Sequence, residues 1–283
     1  MTTAMHDRTT YPRPVRRGAE TMEALVHVED ATTPEDVVRL AEIDKPADAH
    51  RSIRKVSFTA GVGLLFMSVL SAFGYLVAVK GLVVPGNAAR TAKNIAAHQG
   101  VFRFGILSLY LVVVLDVVVA WALYRVFKPV SKGISMLAAW LRIAYAGIFM
   151  VAISQLIGVF RSLGNTSRFG IVSSDQLHAQ VLLRVNTFTN IWHAGLVLFG
   201  LNLLVLAYLA YESGYVPHLL GILLAIAGVG YVFDTVARAL VGGSSSDVSA
   251  STGIGEFVFA LWLVIRGRRI AMNDSRSHDT PTH

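Results

Sequence analysis

The chain has no cysteine among its 283 residues, which excludes disulfides, thiol catalysis and thiolate metal sites. Charge is also scarce. Asp, Glu, Lys and Arg make up 15% of the sequence, whereas an average soluble domain carries about a quarter. The signatures of soluble enzymes are missing. There is no His-Glu-x-x-His helix, no Gly-x-Ser-x-Gly elbow and no phosphate-cradling Gly-x-x-x-x-Gly-Lys-Ser/Thr loop. Gly253-Ile-Gly255 is a fragment of a dinucleotide fingerprint, but it opens an apolar helix instead of following a strand. No catalytic residue, cofactor or metal is therefore expected. Residues 1–50 lack an apolar core, so no cleavable signal peptide is read there. The first apolar span is expected to act as an uncleaved insertion signal.

What is present is apolar and bunched. Hydrophobic residues account for 54% of the chain, more than one soluble core buries in helices of this length. Six apolar spans stand out, at 56–79, 102–124, 134–160, 187–211, 216–240 and 248–265. Each is long enough to cross about 30 Å of hydrocarbon at about 1.5 Å per residue. The expected fold is all-α, an integral membrane bundle of about six transmembrane helices over residues 51–270. A mostly disordered polar arm (residues 1–50) and a disordered tail (271–283) flank it. Within the arm, Thr33 and Pro34 suit the start of a short helix through Ile43.

The formal net charge of +7 does not imply nucleic acid. The basic residues sit beside helix ends, where they set orientation and meet headgroups. With the N-terminus cytoplasmic, the inner flanks hold Arg51, Arg54, Lys55, Arg125, Lys128, Lys132, Arg266, Arg268 and Arg269. The longer outer loops hold Lys80, Arg90, Lys93, Arg161, Arg168 and Arg184. This asymmetry predicts both termini in the cytoplasm. The lipid bilayer is the one partner implied; neither a protein partner nor an oligomeric state is legible.

Two outer loops carry helix signals. Pro85-Gly86 makes a turn, and Asn87 caps a short helix through Ala97. Ser173 or Ser174 caps a helix from Asp175 that leads into the fourth span. The other links are short, so consecutive spans should be antiparallel neighbours, and 242–247 reads as a flexible Gly/Ser turn. A three-plus-three repeat has one correspondence, Asp116 with Asp234, too little to establish it.

Several short motifs resemble a known family. They are Leu82-Val-Val-Pro-Gly-Asn-Ala, Val101-Phe-Arg-Phe-Gly-Ile, Phe127-Lys-Pro-Val and Leu137-Ala-Ala-Trp-Leu-Arg. They continue with Gly200-Leu-Asn-Leu-Leu-Val-Leu-Ala-Tyr-Leu, Pro217-His-Leu-Leu-Gly-Ile-Leu-Leu-Ala-Ile-Ala-Gly and Gly255-Glu-Phe. In this order, over about residues 55–267, the chain resembles the bacterial membrane family of domain of unknown function 4386. The resemblance implies a multi-helix bundle in a bacterial plasma membrane. It implies no activity and carries over no site residue.

The candidate sites are the polar residues inside the spans: Arg103, Asp116, Arg142, His193, Asp234, Arg238 and Glu256. A charge at the bilayer centre costs at least about 2.5–3.5 kcal/mol, so each needs a partner, a cavity or a short path to the interface. Asp116 and Arg142 each lie eight residues from the inner end of their spans, about 12 Å deep, and are expected to pair. Asp234 and Arg238 are four apart on one helix face, and Arg103 joins them only if it turns inward. Glu256 has no base in its own helix before Arg266. It must be protonated, paired across helices or wet. His193, after Trp192, reads as an interfacial hydrogen-bonding residue. Gly221, Ala225 and Gly228 form a small-residue packing face.

Three functions fit these residues. The leading one is a structural or accessory membrane component whose charges serve packing. The alternatives are a small-molecule or ion transporter with a charged midplane cavity and an intramembrane enzyme acting on lipid. A scaffold requires charges consumed in pairs within a dry bundle. Transport or catalysis requires a cavity that reaches the charges.

Overall fold

The computed structural model describes residues 55–164, 173–241 and 248–266, with the side chains of 164 and 241–254 excepted. The N-terminal arm with its 34–43 helix, the 242–247 turn and the 271–283 tail lie outside the described residues. So does the 165–172 part of the second outer loop. The described residues form seven helices and no strand. They are α1 (Lys55–Lys80), α2 (Ala88–Ala97), α3 (Gln99–Phe127) and α4 (Lys132–Gly164). Then come α5 (Ser174–Glu212), α6 (His218–Val241) and α7 (Val248–Arg266). Five of these, α1 and α3 to α6, are long and apolar enough to cross a membrane. The sixth spanning helix is α7, whose 19 residues reach about 28 Å.

Capping residues set the ends. Asn87 accepts from the Arg90 N–H at 2.9 Å and starts α2, just after Gly86 takes the left-handed φ of 72° that its turn needs. Thr91 then ties this loop down: its hydroxyl accepts from the Val84 N–H at 3.0 Å. Ser173 and Gln176 form a reciprocal capping box at the start of α5. From there α5 runs unbroken to Glu212, so the expected loop helix and fourth span are one rod.

The spans alternate in direction, and each packs on the next. Close glycine contacts mark the seams. Gly74 of α1 meets Leu109 and Gly105 of α3. Gly195 of α5 meets Ile148 of α4, and Gly255 of α7 meets Leu223 of α6. The ring closes where Gly61 of α1 meets Leu263 and Val264 of α7. Outside, the bundle is oily: Phe104, Trp140 and Phe233 are each about two-thirds exposed. A soluble protein would hide such a surface, whereas lipid solvates it.

At the Lys55 end, the loop between α5 and α6 folds back on α3. The Tyr215 hydroxyl donates to the Val126 carbonyl at 2.9 Å, one of the carbonyls that a helix C-terminus leaves unpaired. Burial pushes the Tyr215 hydroxyl well above its ordinary range, which keeps it protonated as a donor.

The tightest seam joins α5 and α6. A Cβ on Gly200 would lie 2.8 Å from the Gly228 carbonyl oxygen, and one on Gly228 would lie 2.8 Å from that of Gly200. Backbone meets backbone there, as the small-residue face of α6 predicts. Gly228→Val should therefore lower stability by about 1–3 kcal/mol through overpacking. Thermal unfolding in detergent is the measurement. Gly147→Ala, where an added Cβ meets nothing within 4 Å, should leave the midpoint unchanged.

Candidate functional site

Asp116 on α3 and Arg142 on α4 meet as their depths suggested. Nε of Arg142 lies 2.9 Å from Oδ1 of Asp116, and the two side chains are 2% and 1% exposed. The contact is an ion pair more than a linear hydrogen bond. The Nε–H is off the line to Oδ1, and among the described residues neither carboxylate oxygen has a well-aligned donor. The guanidinium also lies 5.4 Å from the centre of the Phe199 ring, within the reach of a cation–π attraction. Beyond Arg142, toward the Lys55 end, Ser135, Asn202 and Leu206 close in with no room for a water molecule. The pair is the floor of something larger.

Above it lies a cavity of about 530 Å³, within the usual range for small-molecule sites. All six spanning helices contribute to its wall. Asp116, Arg142, His193 and Glu256 all reach it, and Lys80 stands at its far end. Along α1 the wall runs from Leu64 to Lys80. The stretch Ala72–Lys80 winds as a π-helix, a rare, wider geometry found most often at functional sites. Ala72, Tyr75, Leu76 and Lys80, all within that stretch, face the cavity. Leu76 and Phe257 also line it and are 54% and 48% exposed, so the flank between α1 and α7 is the lipid-facing surface itself.

The wall is rich in rings. The Trp192 indole donates to the Tyr145 hydroxyl at 3.0 Å, and Tyr75 packs edge-on against Trp192 at 4.5 Å. Tyr145 lies 4.8 Å from Phe199, which meets Tyr231 edge-on at 5.5 Å. Glu256 is hydrogen-bonded by the Tyr231 side chain from α6. Of the three alternatives for Glu256, a partner across helices and a face on the cavity are both present, and the contact fits either protonation state.

A second cluster lies further along α6. Asp234 accepts from Nε of Arg238 at 3.0 Å, and Nδ1 of His193 lies 4.0 Å from the same carboxylate oxygen. The Thr235 hydroxyl donates to the His193 carbonyl at 3.2 Å. His193 thus turns inward and connects this cluster to the cavity. Arg103 does not turn inward. It is exposed, with its guanidinium 5.1 Å from the centre of the Phe160 ring. Among the described residues no group of three or more His, Asp or Glu is placed to hold a metal ion.

Reading charges alone missed Tyr75, Tyr145, Trp192 and Tyr231, and it left Lys80 in a loop instead of on the cavity. The signal was available for two of them. Tyr145 and Tyr231 sit mid-span, away from the interface where membrane tyrosines gather.

The Asp116–Arg142 contact sets an expectation for stability. Asp116→Asn and Arg142→Gln should each cost about 3–5 kcal/mol by stranding a buried charge. The double substitution should recover at least half of the summed loss. Thermal unfolding of the three variants in detergent forms the cycle, and small additive effects would mean that the two groups do not depend on each other.

Comparison with known proteins follows the same outline. A protein of Archaeoglobus fulgidus described as uncharacterized is 35% identical over 168 residues, covering 59% of this chain and 86% of that relative. That source is an archaeon, so the similarity reaches beyond the bacterial proteins that the motifs suggested. No solved structure matches the chain. The family described as Domain of unknown function (DUF4386) matches residues 59–267, and the chain belongs to it.

Proposed function

We propose that this protein binds a small molecule in the cavity at mid-membrane depth, as a transporter does. The carrying observation is a 530 Å³ cavity reached by Asp116, Arg142, His193 and Glu256. A scaffold has no need to keep four ionisable residues beside open space, because a dry interior of closed pairs avoids the cost of charge in hydrocarbon. The ion pair at the floor fixes the register of α3 and α4. Glu256, Tyr145 and Tyr231 supply the polar contacts, and α1 supplies a thinly covered wall: 28% of its most apolar stretch is buried, against 56% for α5.

We further place the protein in the plasma membrane, with the Lys55 end cytoplasmic. Lys55, Arg125, Lys128, Lys132 and Arg266 gather at that end. The cavity then extends from mid-bundle toward the outer face, where Lys80 stands. Catalysis is the weaker reading. The Ser68 hydroxyl on the cavity wall is given to the Leu64 carbonyl at 2.9 Å, which leaves it no base to activate it as a nucleophile. The accessory reading keeps support from the two charge pairs, Asp116–Arg142 and Asp234–Arg238.

The cysteine-free sequence is a ready background for the test. Ser71→Cys, on the cavity wall, should react with a charged, membrane-impermeant thiol reagent added at the Lys80 side. Val69→Cys, at nearly the same depth but 64% exposed on the lipid-facing surface, should not. If neither reacts, the bundle is dry and the accessory reading takes its place.

A further inference from the structure

We propose that the cavity takes a hydrophobic organic cation, with the Glu256 carboxylate as its counter-ion. This rests on the ligand-binding reading above and names the class of ligand. Charge balance carries it first. Within the cavity the carboxylates of Asp116 and Glu256 face one guanidinium, that of Arg142. Arg142 is already committed to Asp116 at 2.9 Å. His193 faces Asp234, which Arg238 already holds at 3.0 Å. Lys80 stands at the exposed rim. Among the described residues Glu256 forms no ion pair, and its hydrogen-bond partner is the neutral Tyr231. With Glu256 ionised, the buried part of the cavity holds two carboxylates against one guanidinium, so a cation completes it and an anion adds to the excess.

The wall carries it second. Tyr75, Tyr145, Trp192, Phe199 and Tyr231 line the same space. Ring faces attract cations within about 6 Å, and Arg142 over Phe199 at 5.4 Å already uses this attraction. Leu64, Met67 and Leu196 complete the lining with apolar surface, which suits a greasy body around the charge. A bare metal ion is poorly served. It needs several oxygen or nitrogen ligands together, and the described residues bring no such group together.

Tetraphenylphosphonium and tetraphenylborate test this directly, since they share a shape and differ in sign. Each is equilibrated by dialysis with the full chain in nanodiscs of neutral lipid, with empty discs as the partition control. Saturable binding is expected for the phosphonium, and only partition for the borate. Glu256→Gln, which keeps a hydrogen-bonding partner for Tyr231, should weaken phosphonium binding about thirtyfold or more. The unmodified chain gives a second measurement. The phosphonium should protect Glu256 from a hydrophobic carbodiimide, read by peptide mass spectrometry.

Saturable borate binding overturns the proposal. So does phosphonium binding that Glu256→Gln leaves unchanged, or carbodiimide labelling of Glu256 that the phosphonium does not slow. If neither ion binds while Ser71→Cys is modified by the charged thiol reagent, the cation class is wrong and the ligand cavity stands. If Ser71→Cys is also unmodified, both fall together.

Discussion

A guanidinium in the middle of a hydrocarbon layer must be met by a carboxylate, and in this bundle Arg142 is met by Asp116. The rest of the interior follows from that constraint. Bringing the two charges to 2.9 Å fixes the rotation and depth of α4 against α3. It also requires small or ring-shaped neighbours that close around the pair without competing for it. Phe199 lies over the guanidinium, and Ser135 and Asn202 fill the space behind it. An ion pair of this kind is weak evidence for stability, because desolvation cancels much of the attraction. Its value is positional: it holds the floor of the cavity at one depth and one orientation.

The same low dielectric shapes the other polar groups. Membrane helices bury polar side chains by pairing them across seams, and the two clusters here do so differently. Asp234 is satisfied largely within its own helix, by Arg238 one turn away. Glu256 depends on a tyrosine from the neighbouring helix and stays beside open space. This difference is why the outer cluster reads as structure and the inner one as a site. The π-helical stretch of α1 carries Tyr75, which packs edge-on against Trp192 on the cavity wall.

Much of the architecture was legible in the sequence because the bilayer imposes a length and a polarity on every span. The six spans, the Asn87 cap and the Ser173 cap all follow from local pattern. Depth arithmetic along two adjacent helices was enough to pair Asp116 with Arg142. The cavity was not legible, since it arises from which faces of six helices turn inward, and apolar spans carry little amphipathic signal. The inward turn of His193 was hidden for the same reason: its position in the span was clear, but not the direction of its ring. The aromatic wall was overlooked because tyrosine and tryptophan in a membrane helix are ordinarily read as interfacial anchors.

One feature of α6 ties these parts together. It crosses α5 at Gly200 and Gly228, where backbone meets backbone while the Val232 side chain packs on Gly200 and the Leu204 side chain packs on Gly228. Tyr231 follows Gly228 by three residues and Asp234 by six, about 4.5 and 9 Å along the axis. The Glu256 contact and the His193–Asp234–Arg238 cluster therefore stand on the same side of the crossing, about one turn apart. A tilt of this helix about the crossing would carry both contacts in the same direction, so the pocket and the far rim share α6 as their common support.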